Sequence, residues 1–146
     1  TTYRKMGEDT INTAAVVAGL KEIKCKTKKL MLHGYDDEAP TEDPLHVYGS
    51  DRKKILSMGK SEDNNSLSKK FYISKNTILW GVQNEMAIHL EDILARRMRC
   101  LFLDAKETSR IAPIVTEIMA TALQKDKNWI VKELKQFKTI TQNYIL

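Results

Sequence analysis

The sequence predicts an all-α protein built as a helical bundle. Beyond residue 50, apolar side chains recur at steps of three and four residues, the period of an amphipathic helix. No segment in that region alternates convincingly with the period of two that indicates a half-buried strand. Only 6 glycines and 3 prolines interrupt 146 residues, of which 42% are hydrophobic and 29% charged. This composition is typical of a globular domain made from helix-forming residues.

A first helix is predicted over residues 3–20. A helix this rich in small residues usually packs closely against a large neighbour, which the rest of this short chain need not supply. An obligate partner would leave exposed apolar area on this helix when the chain is alone. One face is formed by small and apolar residues: Met6, Thr10, Ala14, Val17 and Leu20.

Residues 21–49 are predicted to connect this helix to a second domain. Helix breakers divide the segment at Gly34, Pro40, Pro44 and Gly49. We assign residues 25–45 as the linker and residues 46–146 as an all-helical domain.

The helical domain begins with two short predicted elements. Ser50 is the predicted N-cap of a helix that continues through Met58. Residues 59–70 form a polar loop, after which Ser74 is placed to cap the next helix.

Longer helices follow. No proline intervenes over residues 75–104, so the pattern predicts one helix there, about 45 Å long if unbroken. Thr108 or Ser109 would cap a further helix, with Pro113 in its first turn, where a missing N–H is tolerated. The last helix is predicted over residues 128–142.

Charge is distributed in two opposite runs. The net charge is +5, but residues 21–29 carry five lysines and one acid, whereas residues 36–43 carry five acids and no base. This pattern favours two solvated stretches around a linker over a nucleic-acid groove. We therefore predict no nucleic-acid partner.

The cysteines and the hydropathy pattern bear on the compartment. Two isolated cysteines, Cys25 and Cys100, fit a reducing compartment better than a disulfide framework. No apolar run reaches the roughly 18 residues that span a bilayer. The opening TTYRKMGEDT lacks the apolar region of a signal peptide. If the chain is a fragment of a longer protein, this absence does not bear on the N-terminus of that protein. A cytoplasmic location is the expectation.

Few residues are arranged for catalysis or metal binding. His89 has Glu85 and Asp92 at helical spacing, but ordinary surface helix pairs are the favoured interpretation. No zinc-ligand spacing, glycine-rich phosphate loop or nucleophile elbow occurs. Cys100 lies on an apolar stripe and is predicted to be a core residue. We expect neither a metal site nor a complete active site.

An arginine cluster stands out on the predicted long helix. Arg96, Arg97 and Arg99 fall within one turn, with Asp92 and Asp104 nearby. A guanidinium on the apolar stripe must be paired, because an unpaired buried charge is costly. Asp92 suits Arg96, and Asp104, Glu85 or an acid from another helix suits Arg97. The favoured interpretation is a structural ion-pair cluster, and the alternative is an anion or phosphate site.

Several stretches of the chain resemble the C-terminal region of FAD-dependent glycerol-3-phosphate dehydrogenases. They are DPLHVYGSD, NEMAIHLEDILARRMRCLFLDAKE, APIVTEIMATAL and TQNYIL. The family usually has ARRTR, from which Met98 departs. The opening TTYRKMGEDTIN is similar to the end of the family's flavin domain, where GGKLTTYR leads into a helix.

This resemblance implies that the chain is the tail of a longer enzyme, with residues 1–24 as the last helix of its flavin domain. It implies a parent that oxidises sn-glycerol 3-phosphate to dihydroxyacetone phosphate with FAD. Electrons would pass on to quinone at the inner face of the cytoplasmic membrane, with oxygen as the alternative acceptor.

The resemblance also implies what this chain contributes. It places Thr1, and with it Thr2, near the pyrimidine end of the flavin, and assigns no catalytic residue here. The isolated chain is therefore expected to bind no FAD and to be inactive. Its implied partners are the parent's own flavin and substrate domains, and a second subunit in a homodimer.

Bracing the parent or mediating subunit contacts is the function we favour for the helical domain. Two other functions stay open. One is a stand-alone helical module that binds anionic partners through residues 21–29, with an affinity that falls steeply with salt. The other is a phosphate-sensing site at Arg96, Arg97 and Arg99.

Overall fold

Helices form the regular structure of the protein. The computed structural model describes residues 2–38 and 40–145, and within these residues no strand occurs, only an isolated antiparallel bridge between Ser66 and Ser74. The predicted all-α class is confirmed. The helices are α1 (Tyr3–Val17), α2 (Arg52–Leu56), α3 (Lys75–Asn84), α4 (Cys100–Leu103), α5 (Ala105–Ala122) and α6 (Lys127–Gln142). A π-helical segment spans Asp92–Arg97, and 3-10 turns lie at Thr27–Lys29, His46–Asp51 and Ser61–Asn64.

The chain divides into two units, Thr1–Glu38 and Ala39–Leu146. In the first unit, α1 is followed by a mostly irregular segment, to which Arg4 Nη1 is joined by a 3.3 Å hydrogen bond to Thr27 Oγ1. No residue of α1 is buried. Met6 is 64% exposed and Val17 is 84% exposed, so apolar side chains of this helix are largely exposed.

The second unit, here called the helical unit, has two hydrophobic clusters. The larger joins α3, the π segment, α4, α5 and α6, and full burial of each of its large side chains contributes about 1.5–3 kcal/mol. Its fully buried residues include Ile78, Leu90, Ile93, Leu94, Ile111, Val115 and Met119. The smaller cluster has a buried core of Leu45, Ile55 and Trp80, with Tyr48, Met58 and Tyr72 packed around it.

The predicted unbroken helix over residues 75–104 is wrong. Helix α3 ends at Asn84, and the left-handed residues Met86 and Arg99, both with φ of 57°, separate it from the π segment and from α4. Hydrogen bonds explain the first break: the Ala87 N–H donates to Gly81 O at 3.0 Å, closing the end of α3. The chain then becomes helical again, and side chains accept the first backbone N–H groups of this new helical segment.

Asp92 supplies part of that restart. Its Oδ2 accepts the backbone N–H groups of Ile88 at 3.1 Å and His89 at 2.9 Å. These donors would otherwise be unsatisfied at a helix N-terminus. Burial alone would raise the pKa of the Asp92 carboxyl, but the two N–H groups and the Arg96 guanidinium lower it overall.

Glu133 of α6 completes the same junction from across the core. Its carboxylate is only 4% exposed; Oε2 accepts the Leu90 N–H at 2.9 Å, and Oε1 lies 2.9 Å from His89 Nδ1. His89 was expected to interact with Glu85 and Asp92. Its ring contacts Glu133 instead, while its backbone bonds Asp92. One buried carboxylate thus ties α6 to the start of the π-helical path.

N-caps were predicted at Ser50 and Ser74, and one of the two is confirmed. The Ser74 cap is confirmed, because Ser74 Oγ accepts the Thr77 N–H and Thr77 Oγ1 accepts the Ser74 N–H. The Ser50 cap is wrong. Ser50 lies inside the 3-10 turn His46–Asp51, and α2 follows without a side-chain cap.

Helix α5 begins earlier than expected. Asp104 Oδ1 accepts the Glu107 N–H at 2.8 Å, so Asp104 and neither Thr108 nor Ser109 is the N-cap. Pro113 is consequently an interior residue and not a first-turn residue. The final helix was predicted over residues 128–142 and is confirmed as Lys127–Gln142.

Candidate functional site

A mixed polar and apolar cavity of about 660 Å³ lies in the helical unit, where the smaller cluster meets the junction after α3. Its apolar wall comes from the segment before α2 and from the loop before α3. Its charged wall comes from the end of α3 and the π-helical path. The residues lining it are Pro44, Val47, Tyr48, Tyr72, Thr77, Glu85, Arg97, Met98 and Arg99.

Arg97 is anchored at the charged wall by the C-terminal end of α3. Its Nε lies 3.7 Å from Glu85 Oε2, its Nη2 donates to the Glu85 carbonyl oxygen, and its Nη1 donates to Asp92 O at 3.3 Å. The side chain is 25% exposed. The carboxylate that pairs with Arg97 is therefore Glu85, which was one of the partners predicted from the sequence. The many contacts hold this guanidinium in one place.

Arg99 and Tyr48 line the same cavity with polar groups that have fewer bonding partners than the Arg97 guanidinium. Arg99 is exposed and forms no ion pair within residues 2–38 and 40–145. Within the described part of the chain, the Tyr48 hydroxyl bonds only the Met98 sulfur, at 3.8 Å. Burial, followed by the charge of Glu85, raises the pKa of Tyr48 well above its usual value, so this hydroxyl keeps its proton. Sequence reasoning missed Tyr48, which lies near the start of the predicted helical domain, about fifty residues before the arginines in the chain.

The five residues predicted as one ion-pair cluster are divided by the structure. Arg96 pairs with Asp92 and with Glu91, both at 2.7 Å, outside the cavity. Asp104 pairs with Lys70 and not with an arginine of the cluster. Its backbone bond from Glu107, followed by Lys70, lowers the Asp104 pKa. Arg97 and Arg99 remain together at the cavity.

A separate polar network fixes the loop before α3 to the first turns of α5. Glu107 Oε1 accepts from Ser68 Oγ at 2.6 Å and from Arg110 Nη2 at 2.7 Å. Arg110 also donates to Leu67 O at 3.2 Å. The Arg110 bond, and then the Ser68 bond, lower the pKa of Glu107 to about 2. This carboxylate therefore stays ionised in the folded protein down to strongly acidic pH.

The flavin residues implied by the resemblance lie at the chain start. Thr1 lies outside the described residues. Thr2 is exposed at the start of α1, and its hydroxyl bonds the Met6 sulfur at 3.8 Å. Thr2 therefore has a hydroxyl available to a ligand, but it is not part of an enclosed site within the first unit.

Cysteine, metal and membrane features can be stated for the described residues. Cys100 is buried, which raises the pKa of its thiol to about 12. Cys25 is partly exposed, and its bond with Thr27 lowers the pKa of its thiol. Residues 2–38 and 40–145 contain no group of three or more His, Cys, Asp or Glu side chains that could hold a metal ion. None of the helices seen there is long and apolar enough to cross a membrane.

Comparison with known proteins gives a family match over most of the chain. Residues 25–129 match the family described as the C-terminal domain of alpha-glycerophosphate oxidase. No solved structure matches the chain.

Curated relatives agree with this match. The chain is 29% identical to the mitochondrial glycerol-3-phosphate dehydrogenase of Mesocricetus auratus, over 84% of this chain and 20% of that protein. It is 28% identical to a probable mitochondrial glycerol-3-phosphate dehydrogenase of Dictyostelium discoideum, over 99% of this chain and 25% of that protein. The human mitochondrial enzyme is 28% identical over 86% of this chain and 20% of its own length.

The chain thus spans about a fifth to a quarter of the curated relatives it matches. The predicted resemblance to the C-terminal region of glycerol-3-phosphate dehydrogenases is confirmed. The chain belongs to the family of the C-terminal domain of alpha-glycerophosphate oxidase.

Proposed function

We propose that this chain is the C-terminal region of an FAD-dependent glycerol-3-phosphate dehydrogenase, and that its helical unit braces the rest of that enzyme. The carrying observation is the family match over residues 25–129, together with relatives that align with 84–99% of this chain but with only 20–25% of their own length. In this proposal the parent oxidises sn-glycerol 3-phosphate to dihydroxyacetone phosphate. FAD would supply the hydride-accepting chemistry, and quinone would be the electron acceptor at the inner face of the cytoplasmic membrane.

The exposed face of α1 supports a covering partner. None of its residues is buried, and exposed fractions of 64–84% at Met6, Ile11 and Val17 leave apolar area in water. Such exposed apolar area marks interaction surfaces in soluble proteins. We propose that the parent's flavin domain covers this face. The same reasoning predicts that α1 is loosely held when the chain is alone.

The residues of this chain provide at most the edge of a flavin site. Thr2 would place its hydroxyl, and Thr1 its own, toward the pyrimidine end of FAD, which supplies the hydride-accepting chemistry when bound. The other contacts would come from the proposed upstream domain. The isolated chain is accordingly expected to lack dehydrogenase activity.

The coding sequence upstream of Thr1 tests the assignment. We expect an open reading frame that passes through GGKL and, several hundred codons earlier, a dinucleotide-binding GxGxxG after a strand. A start codon directly before Thr1 would contradict it, and would favour the stand-alone module that binds anionic partners.

The bracing role needs its own measurement. The parent truncated after residue 38 should retain less flavin and melt at a lower temperature than the full-length enzyme. A truncated enzyme with unchanged flavin content, melting temperature and glycerol 3-phosphate oxidation would show that the helical unit does not brace it. Amide exchange in the 146-residue chain should be fast throughout α1, and strong protection there in a monomer would contradict the covering-domain argument.

A further inference from the structure

We propose that the cavity at Tyr48, Arg97 and Arg99 is a binding site for an oxyanion, a phosphate or a carboxylate, carried on a small apolar body. The volume of about 660 Å³ lies within the range of roughly 300–1,000 Å³ that is usual for small-molecule sites. Such sites combine an apolar wall with a few convergent polar groups. This proposal is independent of the dehydrogenase assignment.

The charges of the cavity favour an anion. Arg97 and Arg99 line the cavity together with one acidic residue, Glu85, which is already paired with Arg97. Among the residues that the structure describes, the positive charge of Arg99 therefore has no carboxylate within 4 Å. An arginine fork is the side chain best suited to bind phosphate or carboxylate through two parallel hydrogen bonds.

Arg99 differs in this respect from the other arginines. Within the described residues, each of the five others lies within 4 Å of a carboxylate, while Arg99 has no such partner. The pairs are Arg4 with Glu8, Arg52 with Asp43, Arg96 with Asp92, Arg97 with Glu85 and Arg110 with Glu107. The arginine left over is thus one that lines a cavity.

The backbone fixes where Arg99 begins. Its left-handed conformation, φ 57° and ψ 16°, joins the π segment to α4. The Met98 N–H bonds Ile93 O at 2.9 Å on one side, and Phe102 N–H bonds Arg99 O at 3.1 Å on the other. A non-glycine residue in this region is strained, so the surrounding bonds must hold it there. This arrangement places the base of Arg99 at the cavity wall.

Tyr48 supplies a second donor for the same ligand. Sulfur is a weak acceptor, so the 3.8 Å contact to Met98 leaves the hydroxyl able to donate to a better one. The protonated state inferred above is the donating state. Tyr72 lines the same cavity, but its hydroxyl already donates to Asn64 O at 2.8 Å. Its ring, with Val47, provides the apolar surface for the ligand's body.

Two sources would present this chemistry: a free phosphate compound, or an acidic side chain of a protein segment. Both can be tested on the 146-residue chain by NMR titration at constant ionic strength. The probes are inorganic phosphate and a capped aspartyl-glutamyl dipeptide. We expect saturable shifts, confined to the neighbourhood of residues 44–48 and 97–99, with at least one probe.

Three variants make the test specific. Arg99→Gln should weaken binding by roughly tenfold or more, and Tyr48→Phe by about threefold to tenfold, as expected for charged and neutral hydrogen bonds. Arg96→Gln is the matched control, because it removes the same charge from a neighbouring residue outside the cavity, and it should leave binding within about twofold. Wild-type-like amide spectra would confirm that each variant is folded.

Each outcome decides the proposal. Saturable binding of phosphate alone supports the site and a free phosphate compound, while binding of the dipeptide supports the site and a protein carboxylate. No saturable shift with either probe at millimolar concentration would overturn the proposal. Equal weakening by Arg96→Gln and Arg99→Gln would also overturn it, because the effect would then be general charge attraction.

Discussion

Replacement of Glu133 should destabilise the helical unit more than its position in a lysine-rich helix suggests. In Glu133→Ala, the buried Leu90 N–H loses its 2.9 Å acceptor, which costs about 1–3 kcal/mol. The lost side-chain methylene adds up to about 0.8 kcal/mol, and the better helix propensity of alanine returns a few tenths. We expect a net loss of about 2 kcal/mol, which is a fall in Tm of roughly 4–8 °C for a chain of this size.

Glu133→Gln tests whether stability depends on the hydrogen bond to the Leu90 backbone N–H or on the negative charge of the carboxylate. The amide oxygen can still accept from Leu90 N–H, and the amide nitrogen can donate to His89 Nδ1 when the ring is neutral with its proton on Nε2. We therefore expect a loss of about 1 kcal/mol or less. Thermal and urea unfolding followed by circular dichroism measure both variants. An alanine variant within about 0.5 kcal/mol of wild type, or a glutamine variant as damaged as alanine, would refute the reasoning.

Three further predictions concern other parts of the chain. Gly81→Ala should destabilise the protein by about 1 kcal/mol in urea unfolding, because the new Cβ would lie 2.5 Å from the buried Ile93 Cδ1. Overpacking costs about 1–3 kcal/mol, which exceeds a helix-propensity gain near 1 kcal/mol. An unchanged urea midpoint would mean that Ile93 repacks freely. Cys25 should react with a thiol reagent in the native protein and Cys100 only after unfolding, so two thiols of equal rate would contradict the buried placement. The pKa of Glu107 is lowered from 4.5 to about 2, so the stability that this carboxylate gives the folded protein is present above about pH 4.5 and is lost as the pH falls toward 2. The free energy of unfolding of Glu107→Gln should therefore depend less on pH over that range. Parallel pH–stability curves for the variant and the wild type would disprove this.

Local signals predicted the elements whose ends depend on nearby residues. Ser74 caps α3 through Thr77, three residues away, and α6 starts within one residue of its predicted position. Both helices carry an apolar face and a recognisable polar cap. Asp104 follows the same chemistry as Ser74, yet it was missed because a continuous apolar pattern runs across it from the preceding segment.

Tertiary bonds decided what the local pattern could not. The break after Asn84 has neither glycine nor proline, and its new helical start depends on Glu133, which lies 43 residues from Leu90. The candidate site has the same origin. The sequence grouped Arg96, Arg97 and Arg99 in one ion-pair cluster, but the π-helical turn and the left-handed residue Arg99 direct them to different surroundings.

The connection between α5 and α6 has a consequence for the order of folding. Gln124 is left-handed, Lys125 N–H returns to Ala120 O at 2.8 Å, and Asp126 accepts from Trp129 N–H at 2.9 Å. Every bond of this turn is made between residues at most five apart, so closing it costs little chain entropy. The α5–α6 hairpin should therefore form early and act as the template for the slower docking of residues 75–103. Mutations that weaken packing between α5 and α6 should then slow refolding. Glu133→Ala removes a bond from α6 to Leu90, in the segment that docks later, and should mainly speed unfolding.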